Sequence, residues 1–106
     1  MRFQATIHID GAVASIRLTG ELDAQSASTF QELIADAAQA GVGRLVLLLH
    51  DLTYLSSAGL RCLVFAHQKL GPAVDIVLVG ARPEVAEVIT MTGFDKSVVM
   101  YQPVLP

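Results

Sequence analysis

The chain has 106 residues, of which 53% are hydrophobic and 16% charged, a composition that predicts one folded domain over residues 1–106 and excludes intrinsic disorder. Its net charge of −3 argues against direct nucleic-acid binding, and no apolar run approaches the length of a membrane span. A single cysteine, Cys62, and an amino terminus without a signal-peptide core predict a cytoplasmic protein.

Two amphipathic strands are predicted at the start of the chain. Apolar and polar residues alternate from Phe3 to Ile9, and the alternation returns from Ala14 to about Leu18 or Thr19. Between the two segments lies Asp10-Gly11, a strong short turn signal. We therefore expect a β-hairpin at the edge of a sheet.

A helix is predicted to follow, from about Ala24 to Ala40. Asp23 is a favourable N-cap residue for this helix, and Gly41 is suited to end it. Apolar residues at helical spacing form the stripe expected to face the core: Ala27, Phe30, Ile34, Ala37 and Ala38.

The centre of the chain predicts a buried strand that leads into a second helix. Arg44–Leu49 is a continuous apolar run, too short for a typical helix. The second helix is predicted over Ser57–Leu70. Its expected apolar face consists of Leu60, Leu63, Val64, His67 and Leu70.

Two adjacent serines, Ser56 and Ser57, lie at this strand-to-helix junction. In the simpler interpretation, one of them is only an N-cap. In the functional interpretation, one serine caps the helix while the other presents a hydroxyl that can be modified. Ala58 and Gly59 are small and leave the approach open to a large partner, and Gly59 weakens helix propensity, which indicates a requirement for access or close packing.

The last third of the chain predicts one strand, one helix and a final strand. Gly71-Pro72 is expected to end the second helix, and Asp75–Val79 is predicted to form a strand. A third helix begins around Pro83 and is closed by Gly93; its expected inner side is Val85, Val88, Ile89 and Thr92. Ser97–Tyr101 predicts the last strand, and Gln102–Pro106 a short tail.

The predicted order is a β-hairpin followed by αβαβαβ, an α/β fold with a mixed, mostly parallel sheet and flanking helices. In such a sheet, the chain segments that follow parallel strands emerge at the same carboxyl edge. Asp23 and the Ser56/Ser57 pair are therefore expected to be neighbours in space.

The motifs in this arrangement resemble those of the STAS domain. The resemblance rests on GELD at Gly20–Asp23, the alanine-rich helix, the buried strand, DLTYLSSAGLR at 51–61, and GF before the final strand. It covers nearly the whole chain and is strongest to the standalone, SpoIIAA-like anti-sigma factor antagonists of bacteria.

This resemblance implies a phosphorylation switch. In the family, a serine at the start of the second helix is phosphorylated by a serine kinase that is also the anti-sigma factor, and Ser57 matches that serine. Ser56 stands where an aspartate is common, and Ala58 where a second serine is common. Asp23 matches an aspartate near the kinase contact surface.

The implied partner surface is this corner together with the exposed side of the second helix. Its expected residues are Glu21, Asp23, Ser56, Ser57, Ala58, Gly59, Arg61 and Phe65. The expected partners are the anti-sigma factor kinase and a phosphatase, with the protein acting as a monomer without a cofactor.

Other functions remain open alternatives at this point. A non-catalytic STAS scaffold, or an accessory subunit of a transporter or signalling complex, would use the same corner as a constitutive interface. An enzyme with Ser57 as nucleophile is disfavoured because Leu55 stands where a hydrolase nucleophile elbow needs glycine. His8, His50 and His67 lie in different predicted elements without metal-ligand spacing, so no metal site is expected.

Overall fold

The fold consists of five strands, three α-helices and one 3-10 turn, described by a computed structural model over residues 2–102. In chain order they are β1 (Gln4–Asp10), β2 (Val13–Leu22), α1 (Ala27–Gln39), β3 (Arg44–Leu55), α2 (Ser57–Leu70), β4 (Asp75–Val79), α3 (Pro83–Met91), the 3-10 turn Phe94–Lys96, and β5 (Val99–Tyr101). Of the predicted tail, Gln102–Pro106, only Gln102 lies within the described residues.

The strands form one sheet in the order β1-β2-β3-β4-β5. β1 and β2 are an antiparallel hairpin, and β2, β3, β4 and β5 pair in parallel. The predicted α/β class, the hairpin at the sheet edge and the parallel arrangement are confirmed. The carboxyl ends of β2 and β3 therefore meet at the same edge of the sheet.

The core lies on one face of the sheet, where alternate residues are buried while their neighbours are exposed or half-buried. In β2, Ala14, Ile16, Leu18 and Leu22 are inaccessible to solvent, and β3 continues this face through Leu45 and Leu47. The buried face packs with apolar residues of the helices, including Phe30, Ile34 and Ile89. This alternation reflects a sheet with one face covered by the helices.

β2 and β3 both run further than their sequence patterns predict. β2 extends to Leu22 instead of ending at Leu18 or Thr19, and β3 extends to Leu55 instead of Leu49. The parallel pairing continues across register shifts at 17/19 and 20/21, so that Glu21 lies opposite Tyr54 and Leu22 opposite Leu55. These irregularities break the strict alternation by which a strand is recognised in sequence.

The first helix begins three residues later than predicted, at Ala27, and Ser26 instead of Asp23 is its N-cap residue. Residues 24–26 form a turn. The Asp23 carboxylate accepts hydrogen bonds from the amides of Gln25 and Ser26, which belong to this turn and not to the helix. Of the predicted stripe, Phe30, Ile34 and Ala37 are buried. Asp23 is therefore a turn-forming residue ahead of the helix.

The buried face of α2 is rotated relative to the predicted stripe. Its buried residues are Gly59, Cys62, Leu63 and Ala66. Only Leu63 belongs to the predicted set, and Val64 is 37% exposed. Three of the four buried residues are small, and the Cys62 Sγ lies 3.6 Å from the Ala27 carbonyl oxygen at the start of α1. Small side chains allow close helix packing, which a pattern counted from large apolar residues misses.

The last third of the chain follows the prediction with small differences. Arg82 precedes α3 and Pro83 is at its start, while Val85 and Ile89 are buried. Thr92, expected on the inner side, is exposed and is the C-cap residue of the helix. The final strand is shorter than the predicted Ser97–Tyr101, because Ser97 is the C-cap of the 3-10 turn and Val98 lies in a bend before β5 begins.

Candidate functional site

The two serines at the junction of β3 and α2 have different roles in the structure. Ser56 is the N-cap of α2: its backbone is extended (φ −83°, ψ 173°) and its Oγ accepts a hydrogen bond from the Gly59 amide at 3.1 Å. Ser57 is the first residue of the helix, and its side chain is exposed. One serine caps the helix while the other presents its hydroxyl to solvent.

The end of β2 is joined to this junction by two hydrogen bonds. The Ser56 amide donates to the Leu22 carbonyl oxygen at 2.9 Å. The Thr53 hydroxyl donates to the Gly20 carbonyl oxygen at 3.0 Å. Since Asp23 directly follows Leu22, these bonds bring the GELD segment beside the serines, as the parallel topology predicted.

Gly59 is required where α2 passes over the end of β2. A β-carbon at this position would lie 2.7 Å from the Leu55 Cδ1, 2.8 Å from the Leu22 Cγ and 2.9 Å from the Leu22 carbonyl oxygen. All three distances are shorter than a carbon atom tolerates without displacement of its neighbours. Of the two explanations for Gly59, access and close packing, the structure supports close packing, because the residue is buried.

Asp23 is held in one orientation by a compact network with Ser26. The Asp23 Oδ1 accepts from the amides of Gln25 (3.0 Å) and Ser26 (3.1 Å) and from the Ser26 hydroxyl (3.0 Å). In turn, the Ser26 Oγ accepts from the Asp23 amide at 2.9 Å. The backbone and side-chain hydrogen bonds from Ser26 lower the pKa of Asp23 below its ordinary value, and this effect exceeds the opposing effect of desolvation. Asp23 is therefore an anion at neutral pH.

Ser26 is a residue of this site that the sequence analysis missed. It is only 9% exposed, and its hydroxyl lies within hydrogen-bonding distance of the Glu21 carbonyl oxygen at 3.1 Å. The spacing Asp23-x-x-Ser26 resembles that of a capping box and was the available signal. Tyr54 was also missed: it lies opposite Glu21 in the sheet and is 51% exposed.

A depression of about 520 Å³ lies beside Asp23, on the side of the hairpin. It is lined by Arg2, Phe3, Glu21, Asp23, Gln25, Ser26 and Thr29. Neither junction serine lines it. Glu21 and Asp23 contribute carboxylates and Arg2 a guanidinium, so the depression is a polar surface that continues the corner toward the hairpin.

The remaining predicted site residues differ in exposure. Ala58 is half-buried, and Arg61 is exposed one helical turn after Ser57. Phe65, expected to lie off the apolar face of the helix, is half-buried and packs against the core. The structure therefore brings the end of β2, and with it Asp23, beside Ser56, while Glu21 lies opposite Tyr54 in the sheet. Ser57 and Arg61 are exposed on α2, and Gly59 is buried.

Within residues 2–102, no group of three histidine, cysteine, aspartate or glutamate side chains is arranged to hold a metal ion. Burial raises the pKa of the Cys62 thiol, which keeps this cysteine protonated. No helix in the same part of the chain is long and apolar enough to cross a membrane.

Comparison with known proteins gives a consistent assignment. The family model of the STAS domain matches residues 4–104. None of the curated proteins matches. An anti-sigma factor antagonist from Mycobacterium paratuberculosis is 27% identical, with a TM-score of 0.85 over 98% of this chain and 88% of that one.

Two structures of SpoIIAA share the fold. The unphosphorylated form has a TM-score of 0.81 at 23% identity, over 97% of this chain and 89% of that one. The phosphorylated form, from Bacillus, has a TM-score of 0.74 at 22% identity, over 97% and 92% of the two chains. On the family match and the shared architecture, the chain belongs to the STAS domain family.

Proposed function

We propose that this protein is an anti-sigma factor antagonist, which binds an anti-sigma factor with serine kinase activity and is switched off by phosphorylation at Ser57. The observation that carries the proposal is the division of roles between the serines. The Ser56 hydroxyl caps the helix, so Ser57 is free to be modified without loss of the cap. The likeness to anti-sigma factor antagonists supports the same function.

Several features of the corner support a kinase partner. Ser57 is exposed at a rigid strand-to-helix junction, next to the small Ala58. The Asp23 anion and the Glu21 carboxylate supply negative charge at the same edge of the sheet, and Arg61 supplies a positive charge on the helix. Gly59 and the Leu22 carbonyl oxygen keep the two segments together. The partner then meets a preorganised surface, which limits the entropy lost on binding.

Phosphorylation would act through charge at this surface. A phosphoryl group adds about −1.5 to −2 charges and three acceptor oxygens. The amino-terminal end of α2 stabilises this negative charge by about 0.3–1 kcal/mol. A phosphate that is desolvated in an interface without a positive partner costs several kcal/mol, and each ~1.4 kcal/mol lowers affinity tenfold. The unfavourable contribution is the larger, so binding is lost until a phosphatase removes the group.

The test uses purified serine kinases of the anti-sigma factor class from the same genome. Incubation with ATP and mass spectrometry should locate the phosphate on Ser57. We expect Ser57→Ala to bind the kinase within a few-fold of the unmodified protein, and Ser57→Asp to lose at least about tenfold in affinity. Ser97→Asp, at an exposed serine in the 3-10 turn region, is the control for added charge and should bind normally.

Equal binding of Ser57→Ala and Ser57→Asp would contradict the switch. Such a result would instead favour the alternative of a scaffold or an accessory subunit, whose binding is constitutive. Phosphorylation at a serine other than Ser57 would also overturn the proposal.

A further inference from the structure

Arg61 is a cation without a carboxylate neighbour on its own helix. α2 contains no aspartate or glutamate from Ser57 to Leu70. Two ion pairs occur within residues 2–102, Arg17–Asp51 and Arg44–Asp75, and Arg61 belongs to neither. Its side chain is exposed and therefore free to reorient toward a new anion.

The position of Arg61 relative to Ser57 is the spacing at which helical side chains meet. The two residues are four apart, with Ser57 in the first turn and Arg61 in the second. Residues at this spacing lie on one face, about 5–6 Å apart between their β-carbons. Long side chains in helices lean toward the amino terminus, so the Arg61 guanidinium can reach back toward Ser57.

We infer that Arg61 pairs with the phosphate of phosphorylated Ser57 and that the switch includes this internal ion pair. The inference rests on the proposed function only in its biological setting, since it concerns how this chain responds to a phosphate at residue 57. A guanidinium donates two parallel hydrogen bonds to phosphate oxygens, a geometry that lysine cannot reproduce.

Phosphorylation would then change the partner surface in two ways at once. It places negative charge at Ser57, and it turns the Arg61 guanidinium from solvent toward its own helix start. A partner that uses Arg61 in the unmodified protein therefore loses that contact as well. The carboxylates of half-buried Asp23 and exposed Glu21 are at the same edge of the sheet, so the corner becomes more uniformly anionic.

The experiment measures the phosphate directly and needs no kinase. Phosphoserine is introduced at position 57 by genetic code expansion, and its second ionisation is followed by ³¹P NMR. The protein is compared with the variants Arg61→Gln and Lys69→Gln. Lys69→Gln removes the same charge from the same helix, about 18 Å along the helix axis from Ser57, which is beyond the screening length of about 8 Å at physiological salt.

We expect the second pKa of the phosphate to be about 0.3 lower with Arg61 than in Arg61→Gln, a twofold change in the acidity constant. Lys69→Gln should match the unsubstituted protein, and Arg61→Lys should recover only part of the difference. The Arg61 Nε–H resonance should shift along the same titration curve as the phosphate.

Equal phosphate pKa values in Arg61→Gln and Lys69→Gln would overturn the inference. The inference would also be overturned if the chemical shift of the Arg61 Nε–H did not change as the phosphate ionises. Either result leaves the proposed function untouched, because loss of partner binding on phosphorylation does not require Arg61. Conversely, a positive NMR result stands even if no kinase modifies Ser57.

Discussion

Single residues at the junction of β3 and α2 have different structural roles. Ser56 caps the helix, Ser57 is exposed, and Gly59 lets the helix approach the end of β2. The requirement at Gly59 comes from contact and not from backbone conformation, since no positive φ occurs there. Substitutions at adjacent positions should therefore have very different consequences.

We expect Gly59→Ala to destabilise the protein. The added methyl group meets the Leu22 carbonyl oxygen at 2.9 Å, a backbone atom that cannot move cheaply. Overpacking typically costs about 1–3 kcal/mol, and the backbone contact places Gly59→Ala toward the upper end of this range, above the gain of about 1 kcal/mol in helix propensity. Urea denaturation should show a net loss of up to about 2 kcal/mol. Gly43→Ala is the control, because its nearest neighbour would be 4.0 Å away; similar stability losses in both variants would refute the contact argument.

The network around Asp23 predicts a pH dependence with a defined sign. The pKa of Asp23 is lowered below its ordinary value of 3.8, chiefly by hydrogen bonds from Ser26. A lowered folded-state pKa stabilises the protein above about pH 4, and this contribution is lost as pH falls through the folded-state value. The stability difference between the protein and Asp23→Ala should therefore shrink as the pH is lowered below about 4.

The pKa of Asp23 can be measured by carboxyl ¹³C NMR. We expect Ser26→Ala to raise it, because this variant loses the hydroxyl donor 3.0 Å from the Asp23 Oδ1. Ser28→Ala removes an exposed hydroxyl on α1 and should leave it unchanged. A pKa of Asp23 at or above 3.8 in the unsubstituted protein would show that the network does not hold the anion.

At the scale of elements, the packing of α2 depends on small residues. Gly59, Cys62 and Ala66 lie on its buried face, while the larger Val64 is 37% exposed. The large apolar residues Leu60, Phe65 and Leu70 only flank this face, half-buried. The helix therefore approaches its neighbours closely enough that added volume is poorly tolerated on the buried face.

Leucine substitutions on α2 test this orientation. Ala66→Leu should cost about 1–3 kcal/mol of folding stability, because Ala66 is fully buried. Val64→Leu should change stability by less than about 0.5 kcal/mol, as is usual for a surface substitution. Thermal unfolding of the two variants gives the comparison. The reverse order of stability would support the face predicted from sequence, on which Val64 points inward.

For the whole molecule, the core and the parallel pairing of β2 with β3 carry the stability. Both ion pairs are solvent-exposed, and Arg17 and Asp51 keep 55% and 45% of their side-chain surface accessible, so they contribute little. β2 and β3 each have a neighbour on both sides, whereas β5 has three residues and pairs only with β4. Stability should be highest at the two strands that support the corner.

Hydrogen exchange should reveal this gradient. We expect the hydrogen-bonded amides of β2 and β3 to exchange only on global unfolding, and those of β5 to exchange by local opening at a faster rate. Two-dimensional NMR in D₂O measures both sets in one experiment. Equal protection of β5 and β3 would show that the sheet opens as one unit, so that the corner has no special rigidity.

Local patterns in the sequence determined the element types, their order and the fold class, because alternation, helical spacing and glycine or proline boundaries depend only on neighbours along the chain. They also placed the serine pair at a helix start and Asp23 near it. Tertiary structure alone decided which serine caps, that Ser26 holds Asp23, and how far β2 and β3 extend. It also decided which face of α2 is buried. Some of these features depend on contacts between distant segments, such as the Ser56 amide with the Leu22 carbonyl oxygen, which leave no periodic signal in the sequence. The buried face of α2 has helical spacing, but it consists mostly of small residues, which a count of large apolar side chains overlooks.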